Sequence, residues 1–131
     1  MRKLYFLGDT HGMFSYLTLM IISYDMKECD FVLCGDAGIG FNPSAESTLF
    51  DSLNTSLKKH NCTLSIIRGN HDNPAYFTKD SSLNRSNILI VEDYTVLDLC
   101  NHKILCIGGS ISVDRKQRDS NTYVTGRKLI V

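Results

Sequence analysis

The sequence predicts an α+β domain that opens with a β-α-β-α-β unit and closes with antiparallel strands. Three observations carry that prediction. Short apolar runs in the first half alternate with segments of helical spacing. Those runs are apolar throughout instead of alternating, as strands covered on both faces are. Two later runs are separated by a tight turn, the mark of a hairpin.

The elements follow in order. KLYFL (3–7) reads as a strand, and the segment 13–25 places Phe14, Leu17, Ile21 and Tyr24 on one helical face. DFVLC (30–34) is the second strand. Asn42 then supplies an N-cap ahead of Pro43, and a helix runs to about His60 with Leu49, Phe50, Leu53 and Leu57 aligned. Lys58 and Lys59 suit its C-terminal end, and Asn61 terminates it. TLSII (63–67) is the third strand, so the unit calls for parallel strands joined by right-handed crossovers. ILIVE (88–92), TVLDL (95–99) and KILCIGG (103–109) are further strands, the last two turning at Cys100-Asn101-His102. After about Arg118 the pattern is polar and aperiodic. The expected organisation is one partial domain over 1–118 and a loosely ordered tail over 119–131.

Composition narrows the function. The chain has 131 residues, 43% of them hydrophobic, with 14 basic and 14 acidic side chains. A balanced charge leaves no broad electrostatic footprint for nucleic acid or a membrane, so function must come from a site. The apolar run near the start is broken by Gly8 and Asp9, too short for a signal peptide or a span. The five cysteines form no CxxC pair, and several lie in apolar runs, Cys34 and Cys106 among them. They read as small buried hydrophobes of a reducing, cytoplasmic protein.

The site is suggested by a repetition. Three strands end alike: FLGDTHG (6–12), VLCGDAG (32–38) and IIRGNHD (66–72). Loops that follow the C-terminal ends of parallel strands share one edge of the sheet. A glycine lets each chain turn, and Asp9, Asp36 and Asn70 follow those glycines as oxygen donors of similar reach. His11 and His71 add nitrogens. Two carboxylates, an amide and imidazoles make a mixed oxygen and nitrogen metal site, suited to manganese, iron, zinc or nickel. Arg68 is either a cation for a phosphate oxygen or a structural residue at the surface. A dinucleotide loop is a poor fit to Gly35-Asp-Ala-Gly-Ile-Gly, whose glycines run GxxGxG, and no Gly-Lys-[Ser/Thr] occurs for a P-loop.

GDTHG, GDAG and GNHD, in that order, resemble the first three motifs of the calcineurin-like metallophosphoesterases, and GGSISVDRKQR (108–118) is similar to a stretch in small bacterial and phage members. The resemblance implies an α/β/β/α sandwich of the metallo-dependent phosphatase type, here incomplete and truncated at the C-terminus. It implies a hydrolase that cleaves a phosphomonoester or phosphodiester through a hydroxide held by two divalent metal ions, manganese foremost. By position, Asp9 and His11 would hold the first metal, Asp36 would bridge the pair and Asn70 would hold the second. His71 would contact substrate and protonate the leaving group.

Two departures from the family pattern qualify that expectation. No histidine follows His102, where the family places a further ligand histidine and a Gly-His-x-His motif, so metal binding is expected to be weakened. The second aspartate of the protein-phosphatase GDxxDRG motif is replaced by Ile39. The alternative function is a catalytically weak or inactive relative serving as a metal- or protein-binding module. Missing strands of the second sheet would leave apolar surface and a strand edge uncovered, so a second copy or another partner is expected there.

Overall fold

The computed structural model describes residues 1–8, 10 and 12–109. Asp9, His11, the stretch from 110 to 118 and the expected tail over 119–131 lie outside the described residues. The elements are β1 (Lys3–Leu7), α1 (Ser15–Ser23), β2 (Cys29–Cys34), α2 (Pro43–Lys59), β3 (Thr63–Ile67), a 3-10 turn (Pro74–Tyr76), β4 (Ile88–Ile90), β5 (Thr95–Leu99) and β6 (His102–Cys106).

The first four strands form a parallel sheet in the order β1-β2-β3-β4. Its register aligns the core in rows: Phe31 beside Leu64 beside Ile88, and Leu33 beside Ile66 beside Ile90. These rows are buried in one cluster with Leu17 and Ile21 of α1 and Phe50, Leu53 and Leu57 of α2. Phe14 meets Phe50 edge-on at 5.1 Å, and Tyr5 stacks on Phe31 at 5.6 Å. Each such side chain withdrawn from water contributes about 1.5–3 kcal/mol. The expected βαβαβ unit is therefore present. The placement of β4 as a fourth parallel strand was open in the sequence.

Helix α2 starts as its residues dictate: the Asn42 side chain accepts from the Ala45 N–H, and Pro43 occupies the first turn. Its end is closed by Asn61 in the left-handed region, at φ 54°. In α1 the expected face is only partly right. Phe14, Leu17 and Ile21 are buried, but the helix stops at Ser23 and Tyr24, past its end, is exposed. Tyr16, Leu19 and Ile22 are exposed as well, as is Phe6 on β1, an edge of the sheet among the described residues.

Strands β5 and β6 pair antiparallel as a separate two-stranded sheet. Leu97 and Cys106 bury with Val91 and pack against Ile67, which places the hairpin on the sheet. The turn comprises Cys100 and Asn101, both at positive φ (50° and 62°), the pattern of a two-residue hairpin turn. His102 is thus not a turn residue: it pairs with Leu99 in β6. No helix among the described residues is long and apolar enough to cross a membrane.

Candidate metal centre at the strand ends

The register brings the three motif-bearing strands to a common level, with Leu7 beside Leu33 and Cys34 beside Ile67. Gly8, Gly35 and Arg68-Gly69 leave the sheet from that level, so the loops after them share one edge. Between the second and third loops the approach is close. The Cβ that Gly35 lacks would fall 3.1 Å from the Gly69 Cα, and a Cβ on Gly69 would collide with the Asp36 main-chain nitrogen and Oδ1. Both positions need glycine because two backbones meet there. The first loop is tied in by the Gly12 N–H, which donates to the Ala37 carbonyl at 2.6 Å.

Asp36 and Asn70 are brought together. Asp36 sits in the left-handed region at φ 52°, a conformation aspartate tolerates better than most residues. Its Oδ1 accepts the His71 main-chain N–H at 2.9 Å. One terminal atom of the Asn70 amide lies 3.1 and 3.2 Å from the two Asp36 oxygens. The amide is satisfied with its NH2 donating to both. A carboxylate and an amide are donor types that a divalent metal takes through oxygen, and the Asn70 amide would turn its oxygen toward a bound ion. His71 follows directly and is partly exposed. Asp9 and His11 lie outside the described residues, and within those no three His, Cys, Asp or Glu side chains cluster closely enough to hold a metal.

A cavity of about 400 Å³ opens beside the pair, lined by Cys34, Asp36, Arg68, Asn70 and Leu105. Cys34 is exposed at this rim, so the expectation that it is a buried hydrophobe is wrong: as the last residue of β2 it points past the edge of the core. Cys29, Cys62 and Cys106 are buried as expected, and all five cysteines are free. Arg68 is not a surface residue either. It is 2% exposed, pairs with Asp93 at 3.0 Å and donates to the Gly108 carbonyl at 2.8 Å, while its own carbonyl accepts the Gly109 N–H. The guanidinium thus fastens the segment that leaves β6 to the end of β3. Ile39 is fully buried in the core, an apolar side chain where the protein-phosphatase motif has its second aspartate.

Two carboxylates that the motifs did not single out shape the loop after Asp36. Asp72 has no exposure, and its carboxylate accepts four main-chain N–H groups: Gly38 and Ile39 on Oδ1 at 2.8 and 2.9 Å, Gly69 and Ala37 on Oδ2 at 2.8 and 3.4 Å. Burial pushes its pKa up, against the pull of those four donors. Glu46, buried on α2, accepts the Gly40 N–H at 2.8 and 3.1 Å. Burial raises its pKa too, with a smaller contribution from the charge of Asp72. Asp72 lies inside the quoted GNHD motif, but three of its donors are more than thirty positions earlier, a relation no local pattern reveals.

Comparison with known proteins agrees with this geometry at the level of the family. The family model for calcineurin-like phosphoesterases matches residues 2–129, nearly the whole chain. Searches of the curated proteins and of the solved structures returned no match. A parallel sheet with helices and a hairpin packed on it, ending in an oxygen-rich loop edge, is a partial sandwich of the metallophosphatase type. With its three strand-end motifs in family order, the chain belongs to the calcineurin-like phosphoesterases.

Proposed function

We propose that this chain hydrolyses a phosphomonoester or phosphodiester in a metal-dependent reaction. The observation that carries this reading is the convergence of Asp36 and Asn70, oxygens of two neighbouring strand-end loops, with His71 next in sequence. Asp36 and Asn70, with Asp9 and His11, are the residues that would hold the metal. Bound divalent cations would neutralise charge on the phosphoryl oxygens and make water acidic enough to attack phosphorus near neutral pH. His71, adjacent to a ligand without being one and partly exposed, would give a proton to the leaving oxygen. The hydrogen bond from its main-chain N–H to Asp36 holds that residue at the site.

A second reading, a metal- or protein-binding module with little turnover, is favoured by Ile39, which leaves no carboxylate where the protein-phosphatase motif has its second aspartate. The two readings separate in one experiment. The purified chain is titrated with manganese and assayed on a simple aryl phosphate and its diester. The enzyme reading expects metal-stimulated turnover that falls about 10²–10⁴-fold in His71→Gln and is lost in Asp36→Asn. Metal uptake with turnover indifferent to both substitutions would sink it in favour of the module.

A further inference from the structure

We infer that Asp72 is a positioning residue of the metal centre: its carboxylate joins the two ligand-bearing loops and thereby sets the approach of Asp36 to Asn70. The inference rests on the reading of those two residues as metal ligands. A single oxygen, Oδ2, accepts the N–H of Ala37, the residue after Asp36, and of Gly69, the residue before Asn70. Oδ1 takes the next two donors of the second loop, Gly38 and Ile39. An aspartate that merely closed its own turn would need only the Gly69 N–H, three residues back. Three of the four donors instead come from the other loop.

Two other main-chain N–H groups join these loops. The Asn73 N–H donates to the Ile39 carbonyl at 2.8 Å, beyond the ligand residues in both loops, and the His71 N–H donates to Asp36 Oδ1, an oxygen that a bound cation would also claim. The Asp72 tie uses main-chain N–H groups, which no cation can take, so it survives metal binding unchanged. The glycine-on-glycine approach of Gly35 and Gly69 brings the backbones close but, lacking side chains, gives no direction. Asp72 supplies that direction by converging four N–H vectors on one fully buried carboxylate. Ligand groups must be held within a few tenths of an ångström to bind a metal well, which is the usual task of such supporting hydrogen bonds.

The test compares manganese affinity, read by electron paramagnetic resonance, with thermal stability measured in chelator. Asp72→Asn keeps the shape but presents an amide to four donors, and its manganese affinity is expected to fall at least tenfold. Asp30→Asn, a substitution at the opposite end of the sheet, is expected to lower the melting temperature while binding manganese as the wild type does. Equal loss of affinity in both variants, or unchanged affinity in folded Asp72→Asn, overturns the inference. Should Asp72→Asn not fold, amide exchange of the wild type decides. Zinc is expected to slow exchange of Gly38, Ile39 and Gly69 together, because ligand binding and the tie stabilise each other, and exchange at these amides indifferent to zinc refutes the idea. A wild type that binds neither metal would instead refute the metal reading itself, and the inference with it.

Discussion

Asp30, in β2, and Asp72, in the loop after β3, are buried carboxylates at opposite ends of the same parallel sheet, and they are satisfied in opposite ways. Asp30, near the start of β2, accepts from side chains: Arg2 at 2.6 Å, Thr63 at 2.8 Å and the Cys100 thiol at 3.2 Å. Those partners come from before β1, from the start of β3 and from the hairpin turn, so the network pins the hairpin to the base of the sheet. Burial pushes the Asp30 pKa up, but hydrogen bonds from Arg2, Thr63 and Cys100, with the charge of Arg2, outweigh it and leave the pKa lowered. Asp72 has only neutral main-chain donors, and its pKa stays raised. The base of the sheet uses charge and side chains to hold elements together. The site end uses one carboxylate to shape backbone, and accepts an electrostatic cost in doing so.

The largest expected effect tests that division directly. Asp72→Ala strands four main-chain N–H groups in a buried setting and is expected to cost on the order of 3–5 kcal/mol. Asp30→Ala is expected to cost about 1–3 kcal/mol, because the released partners can turn to water; the Arg2 side chain is already 34% exposed. Urea midpoints measure both, and a costlier Asp30→Ala would reverse the comparison.

A smaller effect concerns pH. The Asp30 pKa is lowered in the folded state, so its stabilisation is present above the unfolded value of about 3.9 and is lost as pH falls through the folded one. Glu46 has the opposite sign: its raised pKa means the native state takes up a proton first, so stability from this group grows as pH falls from neutral toward about 4.3. The stability gap between wild type and Asp30→Asn should therefore close on strong acidification. The wild type should meanwhile gain relative to Glu46→Gln between neutral pH and about 4.3. Parallel profiles for the two variants would show that the ends do not differ electrostatically.

The smallest effect is at the hairpin. Cys100→Ala removes a weak thiol donor from Asp30 while keeping a residue of similar backbone demand at φ 50°. A small fall in the urea midpoint, well below that of Asp30→Ala, is expected. A loss as large as that of Asp30→Ala would place the strength of the base network in the thiol instead of in Arg2.

Much of this protein was legible in the order of its residues. Pro43 and Asn42 fix where α2 begins, and three apolar runs each ending in Gly-[Asp/Asn] announce parallel strands with a common loop edge, because these are local consequences of backbone preference and periodicity. The family followed from the same motifs. What the tertiary structure alone decided was which groups meet. Tyr24 fits the periodicity of α1 yet lies beyond its end and faces solvent, and Cys34 sits in an apolar run yet opens onto the cavity, because exposure depends on what packs there and not on the run itself. Arg68, Asp72 and Asp30 find partners twenty-five to seventy positions away. Their roles come from the register of strands and the closeness of two glycine loops, where the requirement to satisfy every buried polar group selects partners by distance in space. The sequence by itself suggested the oxygen and nitrogen donors proposed to hold a metal; the packing of the second loop on the third decided that Asp36 and Asn70 stand face to face, with Asp72 between their backbones.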